Sequence, residues 1–165
     1  MIYIYLMSML NLFVLSSCNQ KAEPETYLVP AGYTGKVNII FNRKEGSEKK
    51  YEDGRRVYEI PIDGILLTQF TTNDGVMDRK YYYKNQSGEL KLLKSLEADT
   101  TATDKSEIGI FLNGISGVYG NSGEPSALEY QEFLVSSYNL KDSFFTDDYK
   151  KIFYKKIEKI SGLKQ

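Results

Sequence analysis

Glu52, Asp53, Glu59 and Asp63 stand close together in the middle of the chain. Two carboxylates at the right separation are all that glycoside hydrolysis requires. A deep sugar cleft in a small β domain usually exposes Trp, and this chain has none. Three acidic turns, Asp53-Gly54, Asp63-Gly64 and Asn73-Asp74-Gly75 with Asp78 following, carry oxygen ligands of the kind Ca²⁺ takes. Their acids are too sparse for a calcium loop, and Asp-Gly is ordinary turn chemistry. Ser47-x-x-Lys50 has the spacing of a serine nucleophile with a lysine base, but it lies in a charged loop and no Lys-Thr-Gly companion follows. Gly114, Gly117, Gly120 and Gly123 lack the Gly-Lys-Ser/Thr of a phosphate cradle and are expected in a flexible loop. Tyr81, Tyr82 and Tyr83 form the one candidate binding surface, an aromatic platform for a glycan or peptide. His is absent and Cys occurs once. No Ser–His or Cys–His pair can therefore form, nor an intrachain disulfide or thiolate metal cluster. The expectation is a protein without catalysis, cofactor or metal.

The single Cys has a different context. Residues 1–17 carry no charge and are rich in Leu, Ile, Met, Tyr and Phe. The run is short for a bilayer span and ends in small residues, the layout of a secretory signal peptide. Leu15-Ser16-Ser17-Cys18 resembles the bacterial lipobox, which implies cleavage between Ser17 and Cys18 and acylation of Cys18. No Lys or Arg precedes the apolar run, a departure from that layout which suggests a true start a few residues upstream. Two or three acyl chains hold a protein on a membrane almost permanently. Residues 18–26 then read as lipidated Cys and tether, about 25 Å long when extended. The location implied is the extracytoplasmic side of a bacterial envelope. The remaining chain balances 21 basic against 22 acidic residues, so nothing draws it to nucleic acid.

The elements that must position any site come next. Val37, Ile39 and Phe41 alternate with Asn38, Ile40 and Asn42, which predicts a strand. Arg56–Pro61 reads as a strand at an edge or one that stops at Pro61. Ile65–Thr71 is apolar on both faces, which predicts a central strand. Arg79–Lys84 and Glu89–Leu96 flank the turn Asn85-Gln86-Ser87-Gly88 and read as a hairpin. Residues 97–106 have no apolar period and read as a mobile loop. Ile108–Leu112 is a short buried strand, followed by a Gly-rich loop over Gly114–Pro125. Ser126-x-x-Glu129 matches a helix capping box, but the strand formers from Tyr130 to Tyr138 favour a strand. At the end, Thr146 caps a helix over about 147–161, with Asp147 and Asp148 at its positive pole. Tyr149, Ile152, Phe153, Ile157 and Ile160 recur at helical spacing with lysines off that stripe. The lysines suit an anionic membrane surface, but the stripe is equally what a sheet-packing helix needs, and packing is the favoured reading. Residues 27–165 are thus expected to form a single antiparallel β-sandwich-like domain with one C-terminal helix.

Tyr27-Leu28-Val29-Pro30-x-Gly32-Tyr33-x-Gly35-x-Val37-x-Ile39, then Glu52-Asp53-Gly54, then Val57-Tyr58-x-Ile60-Pro61-x-Asp63-Gly64-Ile65-Leu66-x-Thr68, resembles a family of small bacterial lipoproteins with a domain of unknown function. The resemblance implies a secreted, tethered, β-rich domain and supplies no activity. Together these readings point to a lipid-anchored envelope protein that binds a protein or glycan partner or has a structural role. The alternatives are an immunity or inhibitor lipoprotein and, further off, a carboxylate-based hydrolase.

Overall fold

The computed structural model describes residues 21–75, 77–96, 104–121, 123–124 and 126–162. Ser17 and Cys18 lie outside these residues, as does most of the 97–106 segment. Nine strands of the described residues form two facing sheets. One sheet has five strands in the order β3 (Lys50–Glu52), β4 (Arg55–Glu59), β1 (Glu25–Pro30), β6 (Arg79–Lys84), β7 (Leu90–Leu93). The other has four, in the order β5 (Ile65–Leu67), β2 (Gly35–Ile40), β9 (Leu128–Ser136), β8 (Gly109–Tyr119). Among the described residues one α-helix, α1 (Asp147–Ser161), follows a short 3-10 turn.

Alternation places the core. Val37 and Ile39 of the second sheet and Phe41 just beyond β2 meet Tyr27, Val29 and Tyr58 of the first, all buried in one cluster between the sheets. Ile40 and Ile65 face the other way and pack under Phe153 and Ile157 of α1. The helix is delimited as its sequence predicts: the Thr146 side chain accepts from the Tyr149 N–H, and Gly162 ends it in the left-handed region at φ 70°. All elements and all three core clusters fall within residues 25–161, so the segment from Lys21 onward carries the whole described fold.

The sandwich-like class with a terminal helix holds, and several finer expectations need correction. The sheets are mixed rather than antiparallel. β1 runs parallel to both β4 and β6, and β2 parallel to β5, because the chain crosses to the other sheet between these strands. The tether expected through Thr26 ends sooner: Glu25 and Thr26 already pair with Arg56 and Val57. β5 lies at an edge, not in the centre. It is apolar on both faces because Leu66 meets the inter-sheet core while Ile65 and Leu67 lie under α1. β4 does stop short of Pro61, but β3 covers its outer side. The Gly-rich stretch is strand as far as Tyr119, after a register shift between Phe111 and Ile115. The strand favoured near Tyr130–Tyr138 is present as β9.

Candidate functional site

β1 opens on a charge that the core must accommodate. Glu25 points between the sheets and is fully buried, where an unpartnered carboxylate would be strongly destabilising. Four donors meet it: the Tyr27 hydroxyl at 2.6 Å, Asn73 Nδ2 at 3.0 Å, Arg79 Nε at 3.1 Å and the Tyr58 hydroxyl at 3.3 Å. Strand register produces this convergence. Glu25 is opposite Arg79 on β6, and Tyr27 is opposite Tyr58 on β4 and Tyr81 on β6. The three tyrosine rings stack across the strands, with centroids 5.0 and 4.7 Å apart. Gln131 of the facing sheet donates to the Tyr27 hydroxyl oxygen at 2.8 Å and accepts from Arg79 Nη2 at 3.2 Å. That closes a ring of hydrogen bonds between the two sheets.

Burial first, and then the Glu25 charge, pushes the Tyr27 and Tyr58 hydroxyls above the ordinary tyrosine range. Both are held as neutral donors, the wrong state for a nucleophile. Burial works to lower Arg79, but Tyr27, Tyr81 and Glu25 outweigh it and hold the guanidinium above its usual range.

Beside this ring lies an open cleft of about 500 Å³ between the 72–75 segment and the β8–β9 pair. Asn73, Asp74, Arg79, Ser116, Tyr130 and Gln131 line it, with Glu129 at its junction with a second hollow of about 450 Å³. Two glycines make room for its polar groups. At Gly114, with φ 102°, a Cβ would stand 2.5 Å from Arg79 Nη1. At Gly117 it would stand 2.8 Å from the Tyr130 hydroxyl. The Arg79 guanidinium has five N–H groups. Nε serves Glu25, Nη2 serves Gln131, and Nη1 reaches Asn113 at 3.5 Å, which leaves donors for a ligand in the cleft. No three His, Cys, Asp or Glu side chains gather to hold a metal among the described residues.

A second polar layer lies between the four-stranded sheet and α1. Lys36 Nζ pairs with Glu132 at 2.8 Å, both nearly buried. Asn38 Nδ2 donates to the Tyr119 hydroxyl at 2.8 Å, while its Oδ1 is buried without a hydrogen-bond partner. α1 covers this layer, so it offers no open site.

The residues singled out from sequence are dispersed. Tyr81 is buried in the core, Tyr82 faces the outer side beside Leu92, and the Tyr83 hydroxyl donates to the Tyr33 carbonyl. Period-2 alternation therefore breaks up the expected platform. Glu59 holds Lys50 at 2.8 Å and Lys84 at 3.3 Å on the surface, and Asp63 Oδ1 accepts from the Ile65 N–H to close its turn. The Lys50 ammonium is raised by Glu59 and Glu52, the opposite of what a base for Ser47 needs. Asn73 bonds Glu23 through both ends of its amide, and Asp78 pairs with Arg55, so this turn stitches down the start of β1. Glu25, Arg79 and Gln131 were missed. The available signal was an acidic residue two positions before Tyr27, in phase with the inward face.

A family model described as a family of unknown function, DUF6843, matches residues 21–144. The chain belongs to this family. The match takes in both sheets and the cleft and stops ahead of α1. None of the curated proteins matches the chain. Among solved structures, one of a candidate lipoprotein from Bacillus anthracis is similar in fold, with a TM-score of 0.50 at 18% identity. The likeness covers 69% of each chain.

Proposed function

We propose that the chain is a lipid-anchored, extracytoplasmic binding module. Its sandwich presents the Arg79 cleft to a small ligand rich in carboxylate or carbonyl oxygens, and it carries out no catalysis. The observation that carries this reading is the Arg79 guanidinium, fixed on three sides by Glu25, Gln131 and Asn113 and mostly buried, yet lining the cleft with donors left over. A pre-positioned donor set is what recognition of an acceptor-rich ligand needs. The Leu15-Ser16-Ser17-Cys18 sequence supports the anchor, and the fold shared with a protein named as a candidate lipoprotein supports it further.

The test has two arms. Full-length chain expressed in bacteria should incorporate labelled fatty acid, and Cys18→Ala should not; label retained in that variant refutes the anchor. For the cleft, thermal shifts are measured with dicarboxylates, acidic sugars and short acidic peptides. A ligand at a hundredfold excess over its Kd stabilises by about 2.7 kcal/mol. Ser116→Trp, which fills the cleft from an exposed position, should abolish any such shift. A shift that survives Ser116→Trp refutes the cleft as the site, and no shift from any acceptor-rich compound refutes the ligand class.

A further inference from the structure

We propose that the solvent face of α1 is an electrostatic docking surface for a bilayer with anionic headgroups, a second membrane contact beside any lipid. α1 packs through Phe153, Ile157 and Ser161, which are buried. One helical turn apart on the opposite face stand Lys151, Lys155 and Lys159, flanked by Lys156 and Ile152. Lys150 has Asp147 at 3.7 Å, whereas Lys151, Lys155, Lys156 and Lys159 enter no ion pair among the described residues. The helix is polarised along its length. Asp147 and Asp148 occupy the first turn, and from Tyr149 to Ser161 five lysines face one acid, Glu158. Ile152 is 59% exposed among these lysines, an apolar side chain placed to enter a headgroup layer while its cationic neighbours meet the phosphates.

The basic end also lies where the chain enters the domain. Arg43 Nη2 donates to the Ser161 carbonyl at 3.3 Å, and the Asn42 N–H donates to the Phe70 carbonyl at 2.7 Å. Arg56 Nη1 donates to the Thr71 carbonyl at 2.7 Å, and Arg56 pairs with Glu23. The end of α1 and Glu23 therefore share one end of the sandwich. From Cys18 to Glu23 an extended chain spans only about 17 Å. A lipid on Cys18 would hold this end against the bilayer. That orientation rests on the proposed anchor, but the charged face does not.

The test uses residues 21–165, which contain the whole described fold and no lipidation site. Co-sedimentation is measured with vesicles of phosphatidylcholine alone and of phosphatidylcholine mixed equally with phosphatidylglycerol. Binding is expected on the mixed vesicles only and should fall steeply with salt. Each lysine near an anionic surface contributes about fivefold in partitioning, so Lys155→Glu, Lys156→Glu and Lys159→Glu combined should lose about 100-fold or more. Reversing Lys80, Lys91 and Lys105 together makes the same change in net charge elsewhere and should retain most binding. Equal binding to both vesicles, equal loss in the two triple variants, or binding to soluble polyphosphate without binding to vesicles would each overturn the proposal. Unchanged melting temperatures exclude misfolding of the variants, and salt-sensitive binding by the unaltered segment tests the proposal without them. Lipid labelling at Cys18 is read separately on the full chain, so the two readings fail independently.

Discussion

Replacing Glu25 with Ala isolates the energetics at the centre of the sandwich. The substitution removes a fully buried carboxylate and leaves Arg79, Tyr27, Tyr58 and Asn73 without their shared acceptor. The Arg79 side chain is only 13% exposed, so little water can replace what is lost. Removing one partner of a buried ion pair costs about 3–5 kcal/mol. At about 2–4 °C per kcal/mol for a domain near this size, the melting temperature should fall by about 6–20 °C. Glu59 provides the contrast. Its bonds to Lys50 and Lys84 are at the surface, where such pairs contribute roughly 0–1 kcal/mol, so Glu59→Ala should cost about 2 °C. Glu25→Gln keeps an acceptor oxygen on one side only, for Tyr27 and Arg79 or for Asn73 and Tyr58, and should fall between the two. Changing Glu25 and Arg79 together to Leu should cost less than the sum of the single changes, because neither charge is then left alone. Urea denaturation and calorimetry on the same variants measure all of these. If Glu25→Ala destabilises no more than Glu59→Ala, the hub does not hold the sheets together and the account of the site fails.

Gly64 and Gly54 both have positive φ, 80° and 72°, but a Cβ at Gly64 would stand 2.0 Å from the Tyr33 hydroxyl and at Gly54 would meet nothing within 4 Å. Gly54→Ala should therefore cost only the left-handed backbone strain of about 1–2 kcal/mol, and Gly64→Ala clearly more; equal urea midpoints would contradict this. High pH gives a second check. Tyr27, Tyr58 and Tyr119 are raised by burial, so the folded state favours their neutral form. That stability is fully present below the unfolded tyrosine pKa of about 10 and is lost as pH rises above it. Unfolding free energy should hold steady to about pH 10 and then fall, with tyrosinate absorbance at 295 nm rising as the protein unfolds. Early tyrosinate signal equal to all 14 tyrosines in the folded protein would contradict the burial argument.

Much of the scaffold was legible along the chain because its determinants are local. The alternation of Val37, Ile39 and Phe41 needs only neighbouring residues to define a face. The stripe of Phe153 and Ile157 between Thr146 and Gly162 likewise fixes α1. The absence of His and the lone Cys18 limit the chemistry whatever the fold. Tertiary structure decided the rest. Tyr81 went to the core and Tyr82 to the surface because strand register sets which alternate residues face inward. Glu25 looked like tether until β4 and β6 were seen on either side of it, bringing Tyr58 and Arg79 to a carboxylate more than thirty and fifty positions away. The cleft needs the 72–75 segment against β8 and β9, a meeting fixed by strand order. Periodicity reports which face of an element is buried, whereas a site made from several strands depends on which distant segments become neighbours.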